Sequence, residues 1–222
     1  MLKTALALAD EHGLEALSMR RLAQELGVEA MSLYNHVANK DDLLDGIIDL
    51  VANEIALPAD GADWKTALRE STISAHDTLV RHRWVGGLWM SPRRVSATRL
   101  RQSDAVLRTL REAGFSEDLT YHAFHILSSH VIGFTLYELS FPIDRKQLEQ
   151  MAARFLREFP ANDYPDLAAH IRQHAEPRDR QRGTFEFALD LILDGLERLR
   201  DAEQARARKP RPRKRSRGRS PR

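Results

Sequence analysis

The chain has 222 residues, carries 34 Lys and Arg against 32 Asp and Glu, and is 42% apolar with no Cys. This length allows one or two domains with an apolar core, and the lack of Cys excludes disulfides and thiolate metal sites. No apolar run reaches the roughly 18 residues of a membrane span. The amphipathic, soon acidic start MLKTALALADEHG is unlike a secretory signal, so a cytoplasmic protein without membrane partners is expected.

Long helical periodicities with few β-branched stretches predict an all-α fold. The first helix pattern already includes Leu2, which predicts either a short N-terminal arm or a start assigned too late. Residues 18–44 have the pattern of two short helices across a tight turn and the start of a third, which is typical of a helix-turn-helix. Ser18 can cap the first of these helices, Gly27 can end it in a left-handed conformation, and Asn39 can cap the third.

The side chains of this segment divide into two faces. Those predicted to face inward are Leu22, Ala23, Leu26, Leu33 and Val37. The second helix begins near Ala30 with small outward residues, which allow it into a major groove about 12 Å wide. Met31 could contact a thymine methyl, Ser32 a base or a phosphate, and Arg20 a guanine. The predicted DNA-binding residues are Ser18, Arg20, Ala30, Met31, Ser32, Tyr34, His36 and Lys40. The alternative is a three-helix packing unit with no DNA role.

The same segment closely resembles the tetracycline-repressor (TetR) family of one-component transcription regulators. The similarity lies in the runs RRLAQELGV and SLYNHVANKDDLLD, preceded by ALALADEHGLEALSMR, and covers about residues 2–57. It continues more weakly through REAGFSEDLTYHAF, HVIGFTLYE and FEFALDLILDGLERL, which resemble the ligand-binding and dimerisation half of the tetracycline-repressor branch.

The resemblance implies a base contact from Arg20, a recognition helix that opens at Ala30, and DNA-backbone contacts from the tyrosine, histidine and lysine that follow. Ala30 and Met31 depart from the polar and proline residues of the tetracycline repressor itself, which changes the expected operator but not the binding mode. The positions of that repressor's drug- and magnesium-contacting histidines are Ala56 and Met90 here. The resemblance therefore implies neither magnesium–tetracycline as inducer nor a metal site, and no cofactor is expected.

The second half is predicted to be a larger helical domain. After a linker-like break at residues 57–62, helical patterns run over Asp63–Arg83, Ser96–Glu112, Glu117–Ser140, Asp144–Glu158, Asp163–Ala175 and Thr184–Arg200. The helix over 117–140 is apolar on two sides, and the helix over 184–200 has a coiled-coil-like seam. Two such helices per subunit would form a four-helix bundle in a twofold dimer, as the resemblance also implies. The predicted interface residues are Ile126, Val131, Phe134, Phe185, Leu189, Ile192 and Leu196. The alternative is that these seams pack only within the chain.

A ligand pocket is predicted in the same half, because ligand sites are mostly apolar with a few placed polar groups and the resemblance implies one there. Its candidate lining is His76, Trp84, Trp89, Met90, His122, His125, His130, Phe134 and Tyr137. His130 is the preferred polar candidate, since it lies in the helix predicted to be buried on two sides. The alternative is a filled core whose histidines are satisfied by backbone carbonyls.

The net charge of +2 hides an asymmetry along the chain. Residues 1–57 hold 4 basic and 10 acidic side chains, which is unusual for a DNA-binding domain because phosphate neutralisation supplies much of the affinity. From Glu203 onward there are 10 Lys or Arg and one acid. This tail is predicted to be disordered, and it either contacts nucleic acid nonspecifically or only keeps the protein soluble.

Three parts are therefore expected: a DNA-binding domain (1–57), a ligand-binding and dimerisation domain (58–202) and a disordered basic tail (203–222). The expected function is a homodimeric transcription regulator, a repressor released from palindromic operator DNA by a small-molecule effector. An enzyme is disfavoured because no Glu has a His three residues on and no Gly-rich phosphate loop or G-x-S-x-G elbow occurs, so no catalytic residues are predicted. The remaining alternative is a nucleoid-type protein that binds DNA without sequence preference through its tail.

Overall fold

The computed structural model describes residues 1–89, 96–140, 145–175 and 183–208, and within these ranges the regular structure is helical without strands. In the same ranges, no helix is long and apolar enough to cross a membrane. The helices form two groups, here named the head (α1–α4) and the body (α5–α11), around two apolar clusters, and Ile48 and Val51 of α4 belong to the cluster of the body.

The head is a small unit around one apolar cluster. Its helices are α1 (Leu2–His12), α2 (Met19–Leu26), α3 (Ala30–Leu33) and α4 (Lys40–Glu54). Leu17, Leu22, Leu43 and Ile47 are fully buried at its centre; Leu43 and Ile47 are four residues apart and therefore lie on the same side of α4. Leu33 is also buried there, so one side of α3 packs on the apolar cluster of the head while its other side faces solvent.

The body packs its long helices around a second cluster. Its helices are α5 (Trp64–Arg81), α6 (Gly86–Trp89), α7 (Ala97–Glu112), α8 (Glu117–Ser140), α9 (Arg145–Glu158), α10 (Pro165–Ala175) and α11 (Thr184–Arg208). On α8, the buried side chains recur every four residues from Leu119 through Ala123, Leu127 and Val131 to Thr135. α8 packs against α5, α7 and α11, and α9 packs mainly on α10.

Ion pairs hold α5 against α11. The Lys65 ammonium lies 2.6 Å from Asp194 and 2.7 Å from Glu197, and Arg69, one turn further on, contacts two more carboxylates of α11 at 2.7 Å each. The hydrogen bond to Asp194 is the main reason why the pKa of Lys65 is raised, and the same bond lowers the pKa of Asp194. These pairs fix the rotation of α11 about its axis, and therefore which of its sides faces the body.

Among the predicted boundaries that differ from the structure are the end of α5 and the start of the tail. α5 ends at Arg81 because the chain turns at His82 into a short 3-10 turn over Arg83–Val85. The prediction that the tail begins at residue 203 is wrong, since α11 continues to Arg208. The amide of Gln204 donates to the Gly114 carbonyl at 3.2 Å, which ties this last part of α11 to the turn between α7 and α8. The rest of the predicted tail, residues 209–222, lies outside the described residues.

Part of the predicted dimer interface is buried within the chain itself. Four of its members are at most 9% exposed in the body core, which makes the prediction wrong for Val131, Phe185, Leu189 and Leu196. The reason is that the seam packs on α5 and α8 of the same chain, as the intrachain alternative proposed. Ile126 is exposed, and Phe134 and Ile192 are half-buried. The apolar side chains that α8 and α11 do expose are Tyr121, Ile126, Leu136, Tyr137, Phe187, Leu191 and Leu199.

Candidate DNA-binding site and effector region

The turn between α2 and α3 is set by local hydrogen bonds. The Ser18 hydroxyl accepts from the Arg21 N–H at 3.2 Å and caps α2. Gly27 ends α2 at φ 66° and ψ 31°, a left-handed conformation that costs a side-chain-bearing residue free energy. The next N–H, of Val28, donates to the Ala23 carbonyl at 3.0 Å and closes the turn. These contacts fix the angle at which α3 leaves α2.

α3 presents a short reading surface. Its single α-helical turn is extended by i→i+3 hydrogen bonds from Tyr34 and His36 to backbone carbonyls at 3.3 and 3.0 Å. Met31 is the most exposed large apolar side chain of the head, at 75%. The Ser32 hydroxyl donates to the Glu29 carbonyl at 2.7 Å, so its oxygen is left to act as an acceptor toward DNA.

The N-terminus of α4 is capped by two reciprocal hydrogen bonds between side chain and backbone. The Asn39 side chain accepts from the Asp42 N–H at 2.9 Å, and the Asp42 carboxylate accepts from the Ala38 N–H at 3.0 Å. Lys40 therefore begins a well-formed helix and is exposed, as is Arg20 at the start of α2. Of the eight residues predicted to bind DNA, none is buried, since Ala30 and Ser32 are half-buried and the others are exposed.

The body core holds a stack of three aromatic rings. The Phe185 ring lies between the imidazoles of His76 and His130, with ring centroids 3.9 and 4.5 Å apart and interplanar angles of 11° and 17°. His76 Nδ1 lies 2.9 Å from the Thr135 hydroxyl and Nε2 lies 3.3 Å from the Glu138 carboxylate. Burial lowers the pKa of His76 and that of His130, because it disfavours the charged imidazolium. Both rings are therefore suited to act as neutral polar groups in an apolar setting.

The predicted pocket set does not line one cavity. His76, His130 and Phe134 meet around Phe185, but His130 Nε2 lies 3.1 Å from the Phe185 carbonyl, the satisfied state that the filled-core alternative proposed. The side chains of His122, His125 and Tyr137 are exposed and lie off the buried stripe of α8, so their part in a ligand pocket stays a prediction.

The tryptophans of the predicted set lie elsewhere. Trp84 is at the boundary between head and body, where it packs against both apolar clusters. Trp89 is half-buried beneath the Arg99 guanidinium, 5.1 Å from its ring, and Met90 lies outside the described residues. Within the described ranges, no group of three His, Asp or Glu side chains is placed to hold a metal ion.

A shallow hollow lies on the outer side of the body between α8 and α11. It has a volume of about 430 Å³, and its lining is His122, His125, Ile126, Ser129, His130 and Ile192. Exposed Ile126 of α8 and half-buried Ile192 of α11 are the apolar side chains of this lining. The sequence pattern missed Thr135, although a polar residue that continues the buried stripe of α8 was a usable signal for an internal hydrogen-bond partner.

Comparison with known proteins gives matches over both parts of the chain. The family model for "Bacterial regulatory proteins, tetR family" matches residues 1–47, and the model for "Tetracyclin repressor-like, C-terminal domain" matches residues 57–200. The tetracycline repressor protein class C of Escherichia coli is 31% identical over 204 residues, covering 90% of each chain. The crystal structure of ActR from Streptomyces coelicolor in complex with actinorhodin is 30% identical, with a TM-score of 0.73, covering 88% of this chain and 92% of that one. A structure of BioQ with its natural double-stranded DNA operator is 27% identical, with a TM-score of 0.59, covering 88% and 94%.

Proposed function

The chain belongs to the tetracycline-repressor (TetR) family, and from this premise we propose that it is a homodimeric repressor whose α3 helix reads a palindromic operator. The observation that carries the proposal is the exposed face of α3, which leaves the head on a glycine turn with Met31 outward and Leu33 anchored inward. Two such heads related by a twofold axis match the two half-sites of a palindrome.

We propose a division of labour among the DNA-binding residues. Arg20 contacts a base, since its guanidinium can bond guanine O6 and N7 together. Lys40, with Tyr34 and His36, holds the DNA backbone and sets the register. Ser18 caps α2 by accepting from the Arg21 N–H, and its hydroxyl hydrogen remains able to donate to a phosphate.

We propose that residues 1–57 bind DNA and that residues 58–202 bind the effector and form the dimer. The two apolar clusters support this division, and Ile48 and Val51 at the end of α4 join the two parts by packing in the cluster of the body. The relative ActR was crystallised with actinorhodin, and a relative from Acinetobacter baumannii with minocycline, which supports a small-molecule effector in the body of this chain. The effector acts by binding one dimer shape better than the other. The stack of His76, Phe185 and His130 is the proposed effector region, and binding there requires the stack to open.

We propose no catalytic role, in line with relatives that are transcriptional regulators. A protein that binds an operator works where the DNA is, which for a bacterial regulator is the cytoplasm. The alternative of sequence-blind binding through the tail gains no support from the comparisons, because the relatives are named as specific repressors.

Two single variants test the docking. Arg20→Ala should relax base preference at one position of each half-site, where a lost bidentate contact costs roughly 1–3 kcal/mol. Lys40→Ala should weaken all duplexes alike and reduce the slope of log affinity against log salt by about one per head. Both are measured by fluorescence anisotropy on the operator and on duplexes changed at single positions. Wild-type binding by both variants would contradict the proposed docking.

A further inference from the structure

A histidine at the boundary between head and body contacts two helices of the head, α1 and α4. His82 follows α5, and its ring is only 4% exposed. Its Nδ1 lies 2.8 Å from the carboxylate of Asp10 on α1, and its Nε2 lies 3.2 Å from the carboxylate of Glu54, the last residue of α4. These three side chains are named the His82 clamp.

Each imidazole nitrogen of the clamp lies within hydrogen-bond distance of a carboxylate oxygen. Hydrogen bonds to a charged carboxylate are shorter and stronger than those between neutral groups. Each carboxylate also has a second donor: the Trp84 indole N–H lies 2.7 Å from Asp10, and the Arg81 guanidinium pairs with Glu54. The geometry of both acids is therefore fixed from two sides.

The clamp lies where it restricts the orientation of the head relative to the body. Leu6 of α1 and Trp84 pack against both apolar clusters, so an apolar seam joins head and body next to the clamp. Apolar contact is not directional and would allow the head to tilt on the body. The clamp holds α1 and α4 at defined points; α1 packs against α2, and α2 in turn packs against α3. Tilting the head would therefore stretch at least one of the two His82 hydrogen bonds.

We propose that His82 is a positioning residue for operator binding, because it holds α1 and α4 to the body and so sets the separation of the two α3 helices in the dimer. Palindromic half-sites are spaced by about 34–36 Å or multiples of it, so the two heads must be held at a matching separation. The consequence for DNA rests on the proposed function, whereas the effect on head orientation does not.

The head-to-head distance can be measured without DNA. The chain has no Cys, so Glu25→Cys, at an exposed position on α2, introduces one spin label per subunit. Double electron–electron resonance on the full-length dimer then reports one distance between heads. The clamp predicts a single narrow distribution, which His82→Gln should broaden because a Gln amide has one nitrogen and cannot place a nitrogen against each of the two acids.

Two controls separate positioning from a general loss of stability. His12→Gln makes the same substitution at an exposed pair within α1, 3.8 Å from Glu11, and should leave the distribution narrow. Asp10→Asn keeps an oxygen that accepts from His82 and Trp84, so it should also stay narrow, whereas the similarly sized Asp10→Leu should broaden it. If His82→Gln fails to fold by thermal unfolding, the comparison of Asp10→Asn with Asp10→Leu provides the same test.

Operator affinity follows from the distance distribution. If only a tenth of the His82→Gln dimers keep the correct separation, the apparent affinity falls about tenfold. A narrow distribution in both His82→Gln and Asp10→Leu would overturn the proposal, whatever their affinities. Broadening with unchanged affinity would overturn the role in operator binding. Broadening in a protein whose wild type selects no specific duplex would instead support the clamp and reject the proposed function.

Discussion

Replacing Leu189 or Leu191 by Ala tests which side of α11 faces the body of its own subunit. Leu189 is 0% exposed in the body core, whereas Leu191, two residues on, is 56% exposed. Truncating a fully buried leucine costs roughly 3–5 kcal/mol, which includes the cavity that remains. At roughly 2–4 °C per kcal/mol for a chain of this size, Leu189→Ala should lower Tm by on the order of 10 °C. Leu191→Ala should change the stability of the isolated subunit by less than about 0.5 kcal/mol.

The effects of the two substitutions on dimer assembly should be the reverse of their effects on the stability of the subunit. If the exposed face of α11 is the interface, Leu191→Ala should weaken the dimer, by about tenfold if the lost contact is worth about 1.4 kcal/mol. Thermal unfolding over a range of protein concentrations, together with sedimentation velocity, separates the two effects because dimer stability depends on concentration. Similar losses of Tm at a concentration where both proteins are monomeric would refute the assignment of the two faces.

Three further predictions concern the turn, the aromatic stack and the recognition helix. Gly27→Ala should destabilise the head by about 1–2 kcal/mol in thermal unfolding, because φ is 66° and the added Cβ meets no atom within 4 Å, so the cost is purely conformational; an unchanged Tm would contradict this. Since burial lowers the pKa of His76 and His130 below the ordinary histidine value of 6.5, the unfolded chain binds more protons below that pH. The contribution of these two histidines to stability is therefore complete above pH 6.5 and declines as the pH falls toward their folded-state pKa values. His130→Gln should reduce this decline in Tm with falling pH. An unaltered decline would argue against a lowered pKa of His130. Met31→Ala and replacement of the facing thymine by deoxyuridine should each weaken binding, by up to about tenfold, and the double change should add little; full additivity would mean that Met31 does not contact the methyl group.

The helix-turn-helix could be predicted from the sequence because each of its signals is local. Ser18 caps an N–H three residues on, Asn39 does the same for α4, and Gly27 is required by the backbone conformation at its own position. Such signals depend on neighbours along the chain and not on tertiary packing. For this reason the pattern also gave the correct exposed side for Met31.

The dimer face could not be predicted from periodicity alone. A stripe of leucines on α11 indicates that one side is buried, but not whether the same chain or a second subunit buries it. On α8, buried Leu127 and exposed Ile126 are adjacent in sequence and equally apolar. The assignment depends on the rotation of each helix, which for α11 is fixed by ion pairs such as the one from Lys65 to Asp194.

The His82 clamp and the aromatic stack were beyond sequence reasoning for a related reason. His82 meets Asp10 across a separation of 72 residues and Glu54 across 28, and no spacing rule connects them. Phe185 was assigned to an interface because its neighbours form a seam, yet it lies between two histidines from α5 and α8. Long-range polar contacts are decided by how the helices pack, so only the folded chain identifies them.

The central claim is that this chain binds a specific palindromic operator through α3. The most direct test is repeated selection of the full-length protein on random duplexes at near-physiological salt, followed by sequencing of the bound fraction. The account predicts an inverted repeat with half-sites spaced by about one helical turn or a multiple of it, and loss of that consensus in a variant with Met31→Ala and Arg20→Ala combined. Enrichment of no consensus, or of the same consensus by the double variant, would contradict it.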